Sequence, residues 1–133
     1  NNTVVATVMS NLALETYLKE SGVTLLRTQV GDKYVAQEMR NGNHNLGGEK
    51  SGHILFGAEH GFRGDGLYTL LRVLQAMQSQ KACLSDFAAD YSDFPQILSN
   101  FKSTKRCSLE ELPQLYAECK KSTANSLAEV VPW

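Results

Sequence analysis

TVVATVMSNLALETYLKESGVTLLRTQV, residues 3–30, is the stretch that decides the fold. Thr3 to Met9 is β-branched and almost wholly apolar, the pattern of a strand buried on both faces of a parallel sheet. Ser10 and Asn11 follow, both good helix N-cap types. Leu14 and Leu18 then stack one helical turn apart, and Gly22 offers a natural helix end. Val23 to Val30 is again apolar and β-branched, a second strand.

The same alternation continues outward. Gly31-Asp32 opens a short helix, with Asp32 as a possible cap and Val35 and Met39 on one face; Asn41-Gly42-Asn43 closes it. Asn45 to Phe56 reads as a third extended segment interrupted by a glycine-rich loop. Gly64-Asp65-Gly66 leads into the strongest helix, with Leu67, Leu70, Leu71, Leu74 and Met77 along one stripe. Strands alternating with helices predict an α/β fold over residues 3–78, a three-layer α/β/α unit with a mostly parallel sheet and right-handed crossovers.

The texture changes after Gln78. Leu84 to Tyr91 reads as a brief helix with Ser85 as cap, stopped by Pro95, and Gln96 to Phe101 as a lone strand. Ser108 to Glu111 has capping-box spacing, but Pro113 fits better in the first turn of a helix running from Leu112 to Lys121. The expected organisation is a first domain over 1–78, a linker over 79–95 and a truncated α+β segment over 96–133.

Composition narrows the function classes. The 133 residues carry a net charge of -1, which gives no electrostatic case for nucleic acid or an anionic membrane surface. No apolar run approaches the roughly 20 residues of a membrane helix. Asn1 to Val4 lacks the basic and apolar regions of a signal peptide, and without a starting Met the chain reads as a processed or excised segment. Cys83, Cys107 and Cys119 are odd in number and lack CxxC spacing, so they read as free thiols in a reducing cytosol.

The segment Gly47-Gly48-Glu49-Lys50-Ser51-Gly52-His53 carries the chemistry. Glycines let a backbone turn sharply and approach a ligand. Glu49, Ser51 and His53 alternate, so in an extended conformation all three point to one side. A carboxylate, a hydroxyl and an imidazole converging on one volume suit a polyhydroxylated ligand. A solvated β-edge turn is the plainer reading of the same residue types.

GGEKSGH resembles the sugar-binding loop of the α-D-phosphohexomutase family. VATVMSNLALE (5–15), LLRTQVGDKYVAQEM (25–39), GDGL (64–67) and FPQILSNFK (94–102) resemble the family's phosphoglucosamine mutase branch, in order and near its spacing. The resemblance implies most of a sugar-reading third domain, lacking its first helix, and the start of a fourth. It implies an isomerase, cytoplasmic, in which a phosphoserine exchanges its phosphoryl group with glucosamine 6-phosphate and glucosamine 1-phosphate through a bisphosphate. Mg2+ would be held by a second domain. Glu49 and Ser51 match the sugar-binding positions and His53 the loop histidine, the candidate catalytic group. Gly48 and Lys33 complete the candidate substrate-binding set, with Asp32 beside Lys33 on the loop bordering the cleft. The implied partners are a hexosamine phosphate and the remaining domains of such a mutase. No phosphoserine motif, aspartate metal loop or fourth-domain phosphate loop occurs here, and Ser122 to Trp133 matches no part of the family, so the chain alone is expected to be inactive.

Rival readings are a phosphomannomutase or phosphoglucomutase relative and a non-catalytic binding module. Arg63-Gly64-Asp65 is the adhesion tripeptide; its plainer reading is a turn at Gly64 and a helix cap at Asp65. His44, His53, His60 and Glu59 fit no zinc spacing and read as solvated or sugar-facing.

Overall fold

The computed structural model describes residues 2–89 and 91–96, together with the helical Pro113, Gln114, Ala117 and Lys121. It divides into two units, Asn1–Phe94 and Pro95–Trp133. The strand expected over Gln96 to Phe101 falls outside the described residues beyond Gln96 itself, as does the helix expected over Leu112 to Lys121 beyond those four positions.

Strand β1 (Thr3–Thr7) leads into helix α1 (Leu12–Glu20). Asn11 caps α1, its side chain accepting from the Ala13 N–H at 2.9 Å, and Gly22, at φ 70°, takes the left-handed turn that ends it. Strand β2 (Thr24–Thr28) follows, then helix α2 (Asp32–Gly42), closed by Asn43 in the left-handed conformation. Gly31 occupies the α2 cap position, and Asp32, expected there, is the first helical residue. Strands β3 (Leu46–Gly48) and β4 (Ile54–Phe56), a 3-10 turn (Ala58–His60) and strand β5 (Arg63–Gly64) complete the sheet. Helices α3 (Gly66–Gln80) and α4 (Leu84–Ala89) end the unit. Ser85 lies inside α4; the cap bond there is Cys83 N–H to the Asp86 carboxylate, 2.7 Å.

The sheet order is β2-β1-β3-β4-β5. β1 pairs parallel with both β2 and β3, whereas β3–β4 and β4–β5 are antiparallel. The sheet is therefore mixed rather than mostly parallel. Glu49 to His53 is too short for a crossover, so the two halves of the third extended segment can only form a hairpin. From β1 the chain steps one way to β2, and from β2 it steps back across β1 to β3. One crossover hand then puts α1 and α2 on opposite faces.

The α2 face holds the core: Val5, Val35, Ala36, Met39 and Leu55 are buried, with Leu26 and Phe62 packed against them. Val5, Val35 and Met39 are fully inaccessible to solvent, and each such side chain contributes about 1.5–3 kcal/mol. Gly47 lets α2 come this close. A β carbon there would lie 2.6 Å from Met39 Sδ and 2.7 Å from Val35 Cγ1. The α1 face is less filled: a cavity of about 280 Å³ is lined by Val4, Ala6, Leu14, Leu46 and Ile54 among others. Asn11 closes one side, donating to the Phe94 carbonyl at 2.9 Å and accepting from the Phe94 N–H at 3.1 Å.

Helix α3 begins where the sequence places it. Asp65 accepts from the Tyr68 N–H at 3.0 Å. That bond, with the Leu67 N–H and the nearby His60, holds its carboxyl below the usual carboxylate range. The leucine stripe, however, is largely in solvent: Leu67, Leu70 and Leu71 are each more than half exposed. Among the described residues no helix is long and apolar enough to cross a membrane.

Candidate functional site

Three connections leave the carboxyl ends of the parallel strands on the same edge of the sheet: Val8–Asn11 after β1, Gln29–Gly31 after β2, and Glu49–His53 after β3. Ligand sites of open α/β sheets gather at this edge. The loop after β3 is a tight turn. The Gly48–Ile54 pair ends the hairpin ladder, the Glu49 N–H donates to the His53 carbonyl at 3.0 Å, and the Gly52 N–H donates to the Glu49 carbonyl at 3.0 Å. Gly52 has φ 90°, a conformation that disfavours side chains.

The turn corrects the geometry expected from alternation. Residues 49–52 are not extended, so Glu49, Ser51 and His53 do not share a face through a period of two. Two of them converge instead on the first turn of α2. The Glu49 carboxylate accepts the Gly31 N–H at 3.0 Å, and His53 Nε2 lies 3.8 Å from the Asp32 carboxylate. Ser51 stands exposed on the turn between them. Gly48 is half-buried in β3, where a β carbon would press on Ile54 Cδ1 at 3.0 Å. The Lys33 ammonium lies 4.7 Å from the centre of the Tyr34 ring. The residues that sequence reading underrated are Gly31, whose N–H anchors Glu49, and Asp32, which faces His53; the Gly-Asp-Lys run was the signal available for both.

The arrangement offers a carboxylate already bonded once, a hydroxyl open to solvent and an imidazole 44% exposed. A carboxylate accepts at two oxygens, so the Gly31 bond and a ligand bond are compatible. The remaining histidines lie elsewhere. His44 is buried, not solvated, against Gly42, and His60 stacks on Tyr68 at 4.1 Å between ring centres. Among the described residues no three His, Cys, Asp or Glu side chains stand close enough to hold a metal ion. In the adhesion-like tripeptide, Asp65 is the α3 cap, while Gly64 is a strand residue paired with Leu55 and not a turn.

Residues 1–94 match the family model for phosphoglucomutase/phosphomannomutase, alpha/beta/alpha domain III. The chain belongs to this family. It is 50% identical over 111 residues to a phosphoglucosamine mutase of Nitratidesulfovibrio vulgaris, covering 84% of this chain and 24% of the relative. It is 49% identical over 110 residues to that of Thermotoga maritima, covering 83% and 25%, and 47% identical over 112 residues to that of Koribacter versatilis, covering 84% and 24%. The chain thus spans about a quarter of the length of these curated relatives. The loop, the α2 turn and the strands that present them all fall inside the matched domain.

Proposed function

We propose that this chain is the sugar-reading part of a phosphoglucosamine mutase, an enzyme interconverting glucosamine 6-phosphate and glucosamine 1-phosphate through a phosphoserine and a bisphosphate. The observation that carries the reading is the convergence of Glu49 and His53 on the α2 turn, with Ser51 exposed between them, in a chain of this family. Glu49 and Ser51 take the ring hydroxyls, His53 stands at the reacting end, and Gly48 and Lys33 border the ligand. A mutase must hold one sugar in two opposed orientations, and a few contacts to ring hydroxyls survive a half-turn. Phosphoryl transfer then depends on positioning and charge stabilisation.

The family generally uses Mg2+. Among the described residues no three His, Cys, Asp or Glu side chains offer it a site; in our reading a second domain of the mutase would hold it, and no step here passes through it. In this reading residues 96–133 are the truncated start of the fourth domain with an unmatched tail from Ser122, and the whole protein works in the cytoplasm.

A chimera tests the proposal. This chain replaces the matching quarter of the Thermotoga maritima enzyme, and a coupled assay measures formation of glucosamine 1-phosphate. Turnover that falls on Ser51→Ala or Glu49→Gln, with phosphorylation of the serine intact, supports the reading. Wild-type efficiency in both variants overturns it. The chain alone is expected to give no turnover above background.

A further inference from the structure

Gly64 is a glycine for a reason that its own backbone does not supply. It lies in β5, paired with Leu55, and its φ is not in the left-handed region. What stands where a side chain would go is the ring of His53. A β carbon at 64 would overlap imidazole atoms Cε1 and Nε2 and lie 3.0 Å from Nδ1. The Asp32 carboxylate also lies near Nε2, at 3.8 Å. The ring lies against the β5 backbone and near the first turn of α2, and its side chain stays 44% exposed.

We propose, resting on the reading of His53 given above, that Gly64 is a positioning residue for His53: the missing side chain at 64 gives the imidazole its seat and aims it along the sheet edge. The inference also explains a tripeptide that adhesion does not. In Arg63-Gly64-Asp65 the glycine answers to a histidine eleven positions earlier, and the aspartate to the helix that follows. A displacement of about 1 Å in a group at a reacting centre costs on the order of a hundredfold in rate, and a new β carbon forces a shift of that size.

The test has two arms. In this chain, labelled with carbon-13 and nitrogen-15, a nuclear Overhauser contact between His53 Hε1 and the Gly64 α protons is expected, with those protons moved by the ring current and returned by His53→Ala. Absence of the contact overturns the seating, whatever the activity. In the chimera, Gly64→Ala is expected to lower kcat by at least roughly tenfold with KM changed by less than about threefold, and to have less than about a twofold effect in a His53→Ala background. A Gly64→Ala effect that persists undiminished without the imidazole overturns the proposal, because the glycine would then serve β5 itself. Wild-type kcat in Gly64→Ala also overturns it. If His53→Ala alone keeps wild-type kcat, the assignment of His53 to the reacting end is what fails, and the Overhauser contact still decides the seating.

Discussion

The carboxylate of Glu49 accepts the backbone N–H of Gly31 at 3.0 Å, tying the loop after β3 to the start of α2 across 18 residues of sequence. Glu49 therefore has a structural partner as well as the ligand role proposed for it, and two substitutions separate them. Glu49→Gln keeps an amide oxygen for Gly31 but loses the charged acceptor. Its melting temperature should stay within about 2 °C of wild type, while catalytic efficiency in the chimera falls roughly tenfold to over a hundredfold. Glu49→Ala also strands a part-buried N–H, which costs about 1–3 kcal/mol, so this chain should melt several degrees lower. Equal melting losses in both variants, with activity following stability, would mean that Glu49 only supports the loop.

Asn11 spends its side chain on two tasks, capping α1 and gripping Phe94, and it is 6% exposed. Loss of a cap costs about 0.5–2 kcal/mol, and each bond to Phe94 about 0.5–1.5 kcal/mol. Asn11→Ala should destabilise by about 2–4 kcal/mol and accelerate hydrogen exchange at the Phe94 amide. Asn11→Asp should restore the cap, but with no N–H to donate to the Phe94 carbonyl it should recover only part of that stability. Full recovery in Asn11→Asp would show that donation to the Phe94 carbonyl contributes nothing.

Gly47 and Leu70 should rank opposite to a hydrophobicity scale. Gly47→Ala adds one methyl against Met39 and Val35, with the Val5 carbonyl at 3.0 Å on the remaining side. Overpacking of this kind costs about 1–3 kcal/mol. Leu70 is 52% exposed on α3, and Leu70→Ser in this chain should cost less than about 1 kcal/mol. Chemical denaturation of the two variants checks the order, and a larger loss for Leu70→Ser would contradict it.

Tyr91 should titrate late for a phenol. Burial, with a 2.6 Å bond to the Asp93 carboxylate and its charge, pushes its phenol up to about 12. The folded value exceeds the unfolded value of about 10. The linked stability is therefore present below about pH 10 and lost as pH rises towards 12. Ultraviolet titration should show a late phenolic step that disappears in Tyr91→Phe. Asp65 works in the opposite sense: its depressed carboxyl stabilises the start of α3 above about pH 4, and that stability is lost as pH falls through the lower folded value. The Tyr68 amide should report that loss, and an amide signal unchanged down to about pH 2 would exclude it.

Much of this was legible along the chain, because its causes are local. The apolar runs around Val5 and Leu26, the caps at Asn11 and Asp65, and the Val35–Met39 pair one turn apart follow from propensity and period, which act over a few residues. So does the glycine-flanked loop, whose motif also carries the family resemblance. The tertiary structure alone decided where the loop's side chains point. The turn at Gly52 cancels the alternation of Glu49, Ser51 and His53, and their directions are then set by groups distant in sequence: Gly31 for Glu49, Gly64 and Asp32 for His53. It alone joined Asn11 to Phe94, 83 residues away, turned β4 antiparallel, and left the α3 leucines uncovered. A periodic pattern records that a face is apolar, but what meets that face depends on which distant segments the packed backbone brings to it.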